Sequence, residues 1–194
     1  MVRKASILRL SLVLLFLLVL IPVAFPGESQ ITLTGRAFIP VRGESGKITE
    51  RFFAFVPVEV IDMRTGQVVT EGETRVSGRY RVTVKEPGLY LLHIGEGNRV
   101  ILDVSPEVRE AKRYDLSYAG ARSTALVMVL SRLALGKKDP TSVFIYKTPL
   151  VLRSERFKEL ENLVRKTLAQ GENLWESWEI QELLETIATQ LRES

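Results

Sequence analysis

The sequence predicts an α+β protein in which an antiparallel β-sandwich is followed by an α-helical C-terminal region. Two observations support this prediction. Residues 30–104 form short runs of alternating apolar and polar residues separated by Gly and Pro, as in half-buried antiparallel strands. Beyond residue 150, apolar residues recur every three or four positions, as on one face of a helix. We expect the sandwich over residues 30–118 and the helical region over 119–194, packed on the sandwich.

The first 29 residues are predicted to be a targeting segment. Arg3, Lys4 and Arg9 precede ten consecutive apolar residues, Leu12–Ile21, and Pro22 then ends the run. A basic start followed by a short apolar run is typical of a secretory signal peptide, and a comfortable membrane span needs about 20 apolar residues. Two outcomes stay open: cleavage after Ser29, or retention of the segment as an N-terminal anchor.

Composition excludes several kinds of chemistry. The chain of 194 residues has no cysteine and one histidine, His93. Disulfide frameworks, thiol nucleophiles and the usual Cys/His zinc sites are therefore excluded, and we expect no cofactor and no metal. The net charge is only +4, and the targeting segment contributes three basic residues and one acid to it. A weakly charged domain does not predict nucleic-acid binding.

The strands are predicted from alternation and from turn residues. In the first strand, Ile31, Leu33, Ala37 and Ile39 share one parity. Residues 41–50 are predicted to be a loop. The next apolar run covers residues 52–62, and Pro57 within it indicates a bulge or an edge position. Turns are expected at residues 64–67, 77–78, 87–88 and 95–98, which leaves strands over 79–85, 89–94 and 99–104. Residues 105–118 are predicted to be irregular.

The predicted strand over residues 89–94 has two apolar faces. Tyr90, Leu92 and Ile94 line one face, and the other shows Leu89, Leu91 and His93. An apolar outer face is unfavourable in water. We therefore expect this face to be covered, with the C-terminal helices as the candidates.

Three helices are predicted after residue 120. The first covers residues 124–135 with Ser123 as its N-cap, and its apolar middle indicates burial, although a central strand is the alternative. Residues 143–146 are a candidate short strand. A second helix is expected from Ser154 to about Ala169, and a third continues to the C-terminus. Gly171 joins these two, and the pair should form an antiparallel hairpin.

The segment Val58–Ile94 resembles a known family. It contains VEVIDMRTGQVV, TRVSGRYRVTV and PGLYLLHIG, with Thr65-Gly66, Gly78-Arg79-Tyr80 and Pro87-Gly88-Leu89-Tyr90 at the turns and strand starts. These motifs are similar to those of the carboxypeptidase regulatory-like domain, which shares the seven-stranded prealbumin (transthyretin-like) sandwich. The resemblance covers about residues 30–104 and implies a fold rather than an activity. No family is recognised for the C-terminal region.

The resemblance does not imply catalysis. The hydrolase branch of the transthyretin-like family uses several histidines and a Tyr-Arg-Gly-Ser terminus, whereas this chain ends in Leu-Arg-Glu-Ser. Carboxylates could act as general acid and base without histidine. The candidates are Asp62, Glu71, Glu73, Asp103 and Glu107, for which solvated turn positions are the alternative interpretation.

Two groups of residues are candidates for binding. Arg75, Arg79 and Arg81 share a parity and would suit an acidic protein or a polysaccharide, with a solvated strand face as the alternative. Trp175 and Trp178 lie three residues apart, where exposed tryptophans would anchor a partner and buried ones would pack on the body of the protein.

The sequence is therefore interpreted as a non-catalytic, exported cell-envelope protein of the periplasm or cell surface. It would act as a binding or assembly module for an envelope protein or a polysaccharide, with no nucleic-acid partner. Membrane contact is expected only through the N-terminal segment, if that segment is retained. Two alternatives remain: an envelope hydrolase with carboxylates in a cleft between sandwich and helices, and a membrane-anchored structural stalk.

Overall fold

The structure is a computed structural model that describes residues 30–110 and 112–193. The strands are β1 (Ile31–Arg42), β2 (Ile48–Phe52), β3 (Pro57–Asp62), β4 (Val68–Glu73), β5 (Arg79–Val84), β6 (Tyr90–Glu96), β7 (Arg99–Val104) and β8 (Arg113–Ala119). The helices are α1 (Ala121–Ala134), α2 (Pro140–Arg153), α3 (Phe157–Gln170) and α4 (Trp178–Glu193). The predicted α+β class is confirmed. The predicted targeting segment lies outside the described residues.

The strands form two four-stranded sheets. One has the order β2-β1-β5 with β8 also paired to β1, and the other has the order β4-β3-β6-β7. Neighbouring strands are antiparallel except β1 and β8, which are parallel. Apolar side chains from both sheets, including Leu33, Val60, Val82 and Leu92, belong to one buried cluster. The two sheets therefore share one hydrophobic core.

Strand β1 shows how the alternation directs burial. Ile31, Leu33, Ala37 and Ile39 are buried as their shared parity predicts. The predicted loop over residues 41–50 is shorter than expected, because β1 continues to Arg42 and pairs with β2 in a hairpin. Strand β2 was missed because most of its side chains are exposed, so its sequence lacks the apolar half of the pattern.

Glycines with a positive φ lie in the predicted turns at residues 64–67 and 77–78. The turn glycines Gly66 and Gly78 have φ values of 70° and 68°, and a Cβ at Gly78 would lie 2.4 Å from the Ala37 carbonyl oxygen. Only glycine suits that turn.

The prediction that residues 105–118 are irregular is wrong for β8. This strand is formed by its parallel ladder to β1 rather than by a strong apolar pattern of its own.

Helix α1 lies at the centre of the helical region. Its buried residues include Val127, Met128, Val129 and Leu130, and it packs against β7 and against the other three helices. The predicted helix and its burial are both confirmed, and the alternative of a central strand is wrong. Ser123 is not the N-cap, because Gly120 occupies that position and donates its backbone N–H to the Ser123 Oγ over 3.0 Å.

Helix α2 replaces the candidate strand over residues 143–146. The Asp139 side chain accepts a hydrogen bond from the Ser142 N–H over 3.3 Å, and Pro140 follows as the first helical residue. An N-cap and a proline at the first position start a helix strongly enough to override the β-branched Val143 and Ile145.

The last two helices form the predicted pair around Gly171, which ends α3 with φ of 71°. Ser154 ends α2 rather than starting α3. Helix α3 packs on β1, and the outer face of β6 is approached by α1 and the α3–α4 loop. The cover expected over Leu91 and His93 therefore comes mainly from elements other than the two last helices. Within the described residues, no helix has the length and apolar character needed to span a membrane.

Candidate functional site

One cleft is built by three neighbouring strands of the first sheet and by the bend before β5. In the β1–β5 ladder, Arg36 lies opposite Arg79 and Thr34 opposite Arg81. In the β1–β8 ladder, Thr34 lies opposite Asp115. Residues opposite each other project to the same face of a sheet. The cleft has a volume of about 490 Å³. Five arginines line it: Arg36, Arg75, Arg79, Arg81 and Arg113.

The structure brings together the three arginines that the sequence singled out. Arg79 and Arg81 project from β5, and Arg75 joins them because its backbone N–H donates to the Arg79 carbonyl oxygen over 2.8 Å. Sequence reasoning missed Arg36 and Arg113. Arg36 lies on the polar parity of β1, which was visible in the pattern, but Arg113 required the unrecognised strand β8.

The cleft lining has an excess of positive charge, with five arginines and one aspartate. In residues 30–110 and 112–193, no carboxylate forms a salt bridge with any of the five guanidinium groups. Asp115 is the one acidic residue in the lining, and its Oδ1 accepts a hydrogen bond from the Ser117 N–H over 2.9 Å. Arg113 Nε donates to the Thr34 Oγ1 over 3.2 Å. Such a cleft attracts anions.

A β-bulge shapes the β8 side of the cleft. Between Asp115 and Tyr118, β8 has one residue more than β1 has between Thr34 and Arg36. Ser117 adopts a positive φ of 61° there. Bulges redirect side chains and are common next to functional sites. The bulge brings Ser117 and Tyr118 into the lining beside the arginines.

The floor of the cleft is closed by Tyr80. A Cβ at Gly35 would lie 2.3 Å from the Tyr80 hydroxyl oxygen, so the ring covers the glycine opposite it. Tyr80 is 3 % exposed, and its hydroxyl has no hydrogen-bond partner within the described part of the chain. Burial, followed by the charges of Asp103 and Asp115, raises the pKa of Tyr80 above its ordinary range. Tyr80 therefore stays a neutral phenol beneath the arginines.

Aromatic rings flank the cleft. The Phe38 ring lies 5.3 Å from the Phe52 ring and 5.4 Å from the Tyr118 ring, measured between centroids. The Arg36 guanidinium lies 5.5 Å from the Phe52 centroid. Phe52 and Tyr118 are 48 % and 68 % exposed, which is unusual for large rings beside a charged cleft. The surface thus combines cations with accessible aromatic faces.

The two tryptophans are both more than half exposed. Trp175 is 54 % exposed and Trp178 is 70 % exposed. Trp175 lines a second, largely apolar cleft of about 410 Å³ between α1, the outer face of β6 and the α3–α4 loop. His93 also lines this cleft, and its Nδ1 lies 3.3 Å from the Glu59 Oε2. The structure does not place either tryptophan beside the arginines.

The candidate carboxylates are spread over β3, β4, β7 and the loop after β7. The lining of the cleft between the second sheet and the helices contains no carboxylate. Asp62 accepts a hydrogen bond from the Arg64 N–H over 2.7 Å, and Glu107 pairs with Arg109 over 2.6 Å. Asp62 and Asp103 are both buried. Desolvation raises the pKa of Asp103 to about 7. Among the residues that the structure describes, no cluster of three metal-ligating side chains occurs.

Comparison with known proteins adds no further constraint to this site. No protein-family model matches the chain, and no curated protein is similar to it in sequence.

Proposed function

We propose that this protein is a non-catalytic binding module of the cell envelope that holds an acidic polysaccharide in the arginine cleft. The proposal includes export by the N-terminal segment and a prealbumin-type sandwich for the β region, as the family resemblance implies. The observation that supports it most is the absence of carboxylate salt bridges to the five cleft arginines within the described chain. Unpaired guanidinium groups are available to bind carboxylates or sulfates on a ligand.

The surroundings of the cleft favour a sugar polymer over an acidic protein. A pyranose ring has an apolar C–H face and polar edges, so it suits a site in which exposed rings stand next to cations. Tyr118 and Phe52 supply those rings, and Arg36 lies over the Phe52 face. Single-stranded nucleic acid would also suit arginines and aromatic rings. The predicted export segment argues against that ligand.

Replacement of two cleft arginines tests the proposal. We expect the double variant Arg79→Gln, Arg81→Gln to bind polygalacturonate roughly 30-fold more weakly, at about 1 kcal/mol for each lost charge-assisted contact. Binding of the unmodified chain should weaken as the salt concentration rises, because the arginines are exposed to solvent. Isothermal titration calorimetry with polygalacturonate, neutral dextran and oligodeoxythymidylate measures these affinities.

The matched control is the double variant Arg42→Gln, Lys47→Gln. It removes the same charge from exposed positions on the β1–β2 hairpin, outside the cleft lining. The control should retain the affinity of the unmodified chain. Equal losses of affinity in both double variants would show that only net charge matters. Tighter binding to oligodeoxythymidylate than to polygalacturonate would identify nucleic acid as the ligand. Either result would overturn the proposal.

A further inference from the structure

Helix α2 presents an apolar face to solvent. Phe144 and Val151, seven residues apart, are its buried residues. On the opposite side, Ile145, Tyr146, Leu150 and Leu152 are 36 %, 74 %, 38 % and 39 % exposed. Exposed Pro149 lies between them, and the preceding loop adds Leu135 at 71 % exposure. A contiguous exposed apolar patch of this kind marks an interaction surface.

The charges of this segment of the chain are mostly positive. Helix α2 contains Lys147 and Arg153 and no acidic residue. In the stretch from residue 135 to residue 158, there are six cations and two acids, Asp139 and Glu155. Asp139 is already used, since its side chain caps α2. The patch therefore carries a net positive rim that complements an anionic surface.

The same charges argue against a second copy as the occupant. A two-fold symmetric interface places one patch against the same patch of the partner. The cations around one α2 would then face those around the other, and like charges in contact cost free energy. An anionic lipid surface has no such cost, because its headgroups attract cations while its acyl boundary accepts apolar side chains.

We propose that α2 and the loop before it dock on an anionic lipid surface. The apolar residues at positions 135, 145, 146, 149, 150 and 152 enter the boundary between headgroups and acyl chains. Lys137 and Lys138, both exposed, contact the lipid phosphates. The helix lies on the membrane and does not cross it, because 14 residues are too short for a span. This contact is distinct from any contact that the N-terminal segment makes.

A local probe tests this contact in the full chain. The sequence contains no cysteine, so Leu150→Cys can be labelled uniquely with an environment-sensitive fluorophore. A matched probe at Val69→Cys lies on exposed strand β4. We expect the emission at position 150 to rise and shift to the blue with phosphatidylglycerol vesicles, and to change little with phosphatidylcholine vesicles. The probe at position 69 should not respond to either. A membrane-retained N-terminal segment would not produce this pattern.

A charge variant separates lipid docking from other contacts. With the probe at position 150, Lys137→Gln together with Lys138→Gln should lower the ratio of docked to undocked protein roughly 30-fold, at about 1 kcal/mol per cation. The Arg42→Gln, Lys47→Gln control should leave it unchanged. An unresponsive probe at position 150, an equal response to neutral vesicles, or a doubled mass in sedimentation without vesicles would each overturn the proposal.

Discussion

Asp103 and Tyr80 place two polar groups in the interior of the protein. Asp103 is 8 % exposed, its Oδ1 accepts the Val104 N–H over 2.9 Å, and its Oδ2 has no partner in the described residues. The Tyr80 hydroxyl is also buried without a partner. Unpaired buried polar atoms cost free energy. Asp103 is therefore a residue at which folding stability depends on protonation.

Asp103→Asn should remove the dependence of folding stability on the protonation of this side chain. Desolvation raises the pKa of Asp103 to about 7 in the folded chain, from an ordinary value of 3.8. The unfolded carboxyl therefore loses its proton at lower pH than the folded one, and the stability present below about pH 4 is lost as the pH rises towards 7. At about 1.4 kcal/mol per pKa unit, the loss is on the order of a few kcal/mol.

Urea unfolding between pH 4 and pH 8 measures this effect. The free energies of unfolding of Asp103→Asn and the unmodified chain should be similar near pH 4, and the variant should be the more stable at pH 8. Glu71→Gln, which removes an exposed carboxylate from β4, serves as the control. If the difference in the free energy of unfolding between Asp103→Asn and the unmodified chain stays constant over this pH range, the raised pKa of Asp103 is contradicted.

At the scale of elements, α1 ties the second sheet to the helices. The Ser123 Oγ donates to the Leu102 carbonyl oxygen of β7 over 2.7 Å. Thr124 is fully buried, and its Oγ1 accepts the Leu102 N–H over 3.0 Å. The first turn of α1 therefore satisfies both backbone groups of Leu102, which would otherwise be buried and unpaired.

Ser123→Ala should destabilise the protein by about 1–2 kcal/mol, because it removes the contact to β7 and the acceptor for the Gly120 N–H. Ser131→Ala, in the same helix, should change the free energy of unfolding by only a few tenths of a kcal/mol. Urea denaturation of the two variants provides the comparison. Equal effects would show that the Ser123 contacts do not join helix and sheet.

The elements that the sequence predicted are those whose burial follows a strong local pattern. Strands β5 and β7, helix α3 and the turn at Gly171 carry that pattern and were predicted. Strand β8 depends on a ladder to residues about 80 positions away, and helix α2 depends on its Asp139 cap. The cleft was predicted only in part for the same reason. Arg75, Arg79 and Arg81 are local in sequence, whereas Arg113 joins them only through β8.

At the scale of the whole molecule, the two proposed contacts lie on different parts of the fold. The arginine cleft is formed by β1, β5, β8 and the bend before β5, whereas the apolar and cationic face belongs to α2 and the loop before it. Neither surface includes the cleft that Trp175 lines. A module with both contacts would hold an acidic polymer near a membrane surface.

The arginine cleft is the central claim, and nuclear magnetic resonance of the arginine Nε–H groups tests it most directly. Addition of a short oligogalacturonate to the full chain should shift the Nε–H signals of Arg36, Arg75, Arg79, Arg81 and Arg113, assigned by single Arg→Lys variants. The signals of Arg153 and Arg156 near α2 should stay in place. Unchanged cleft signals, or equal shifts at the arginines near α2, would contradict the account.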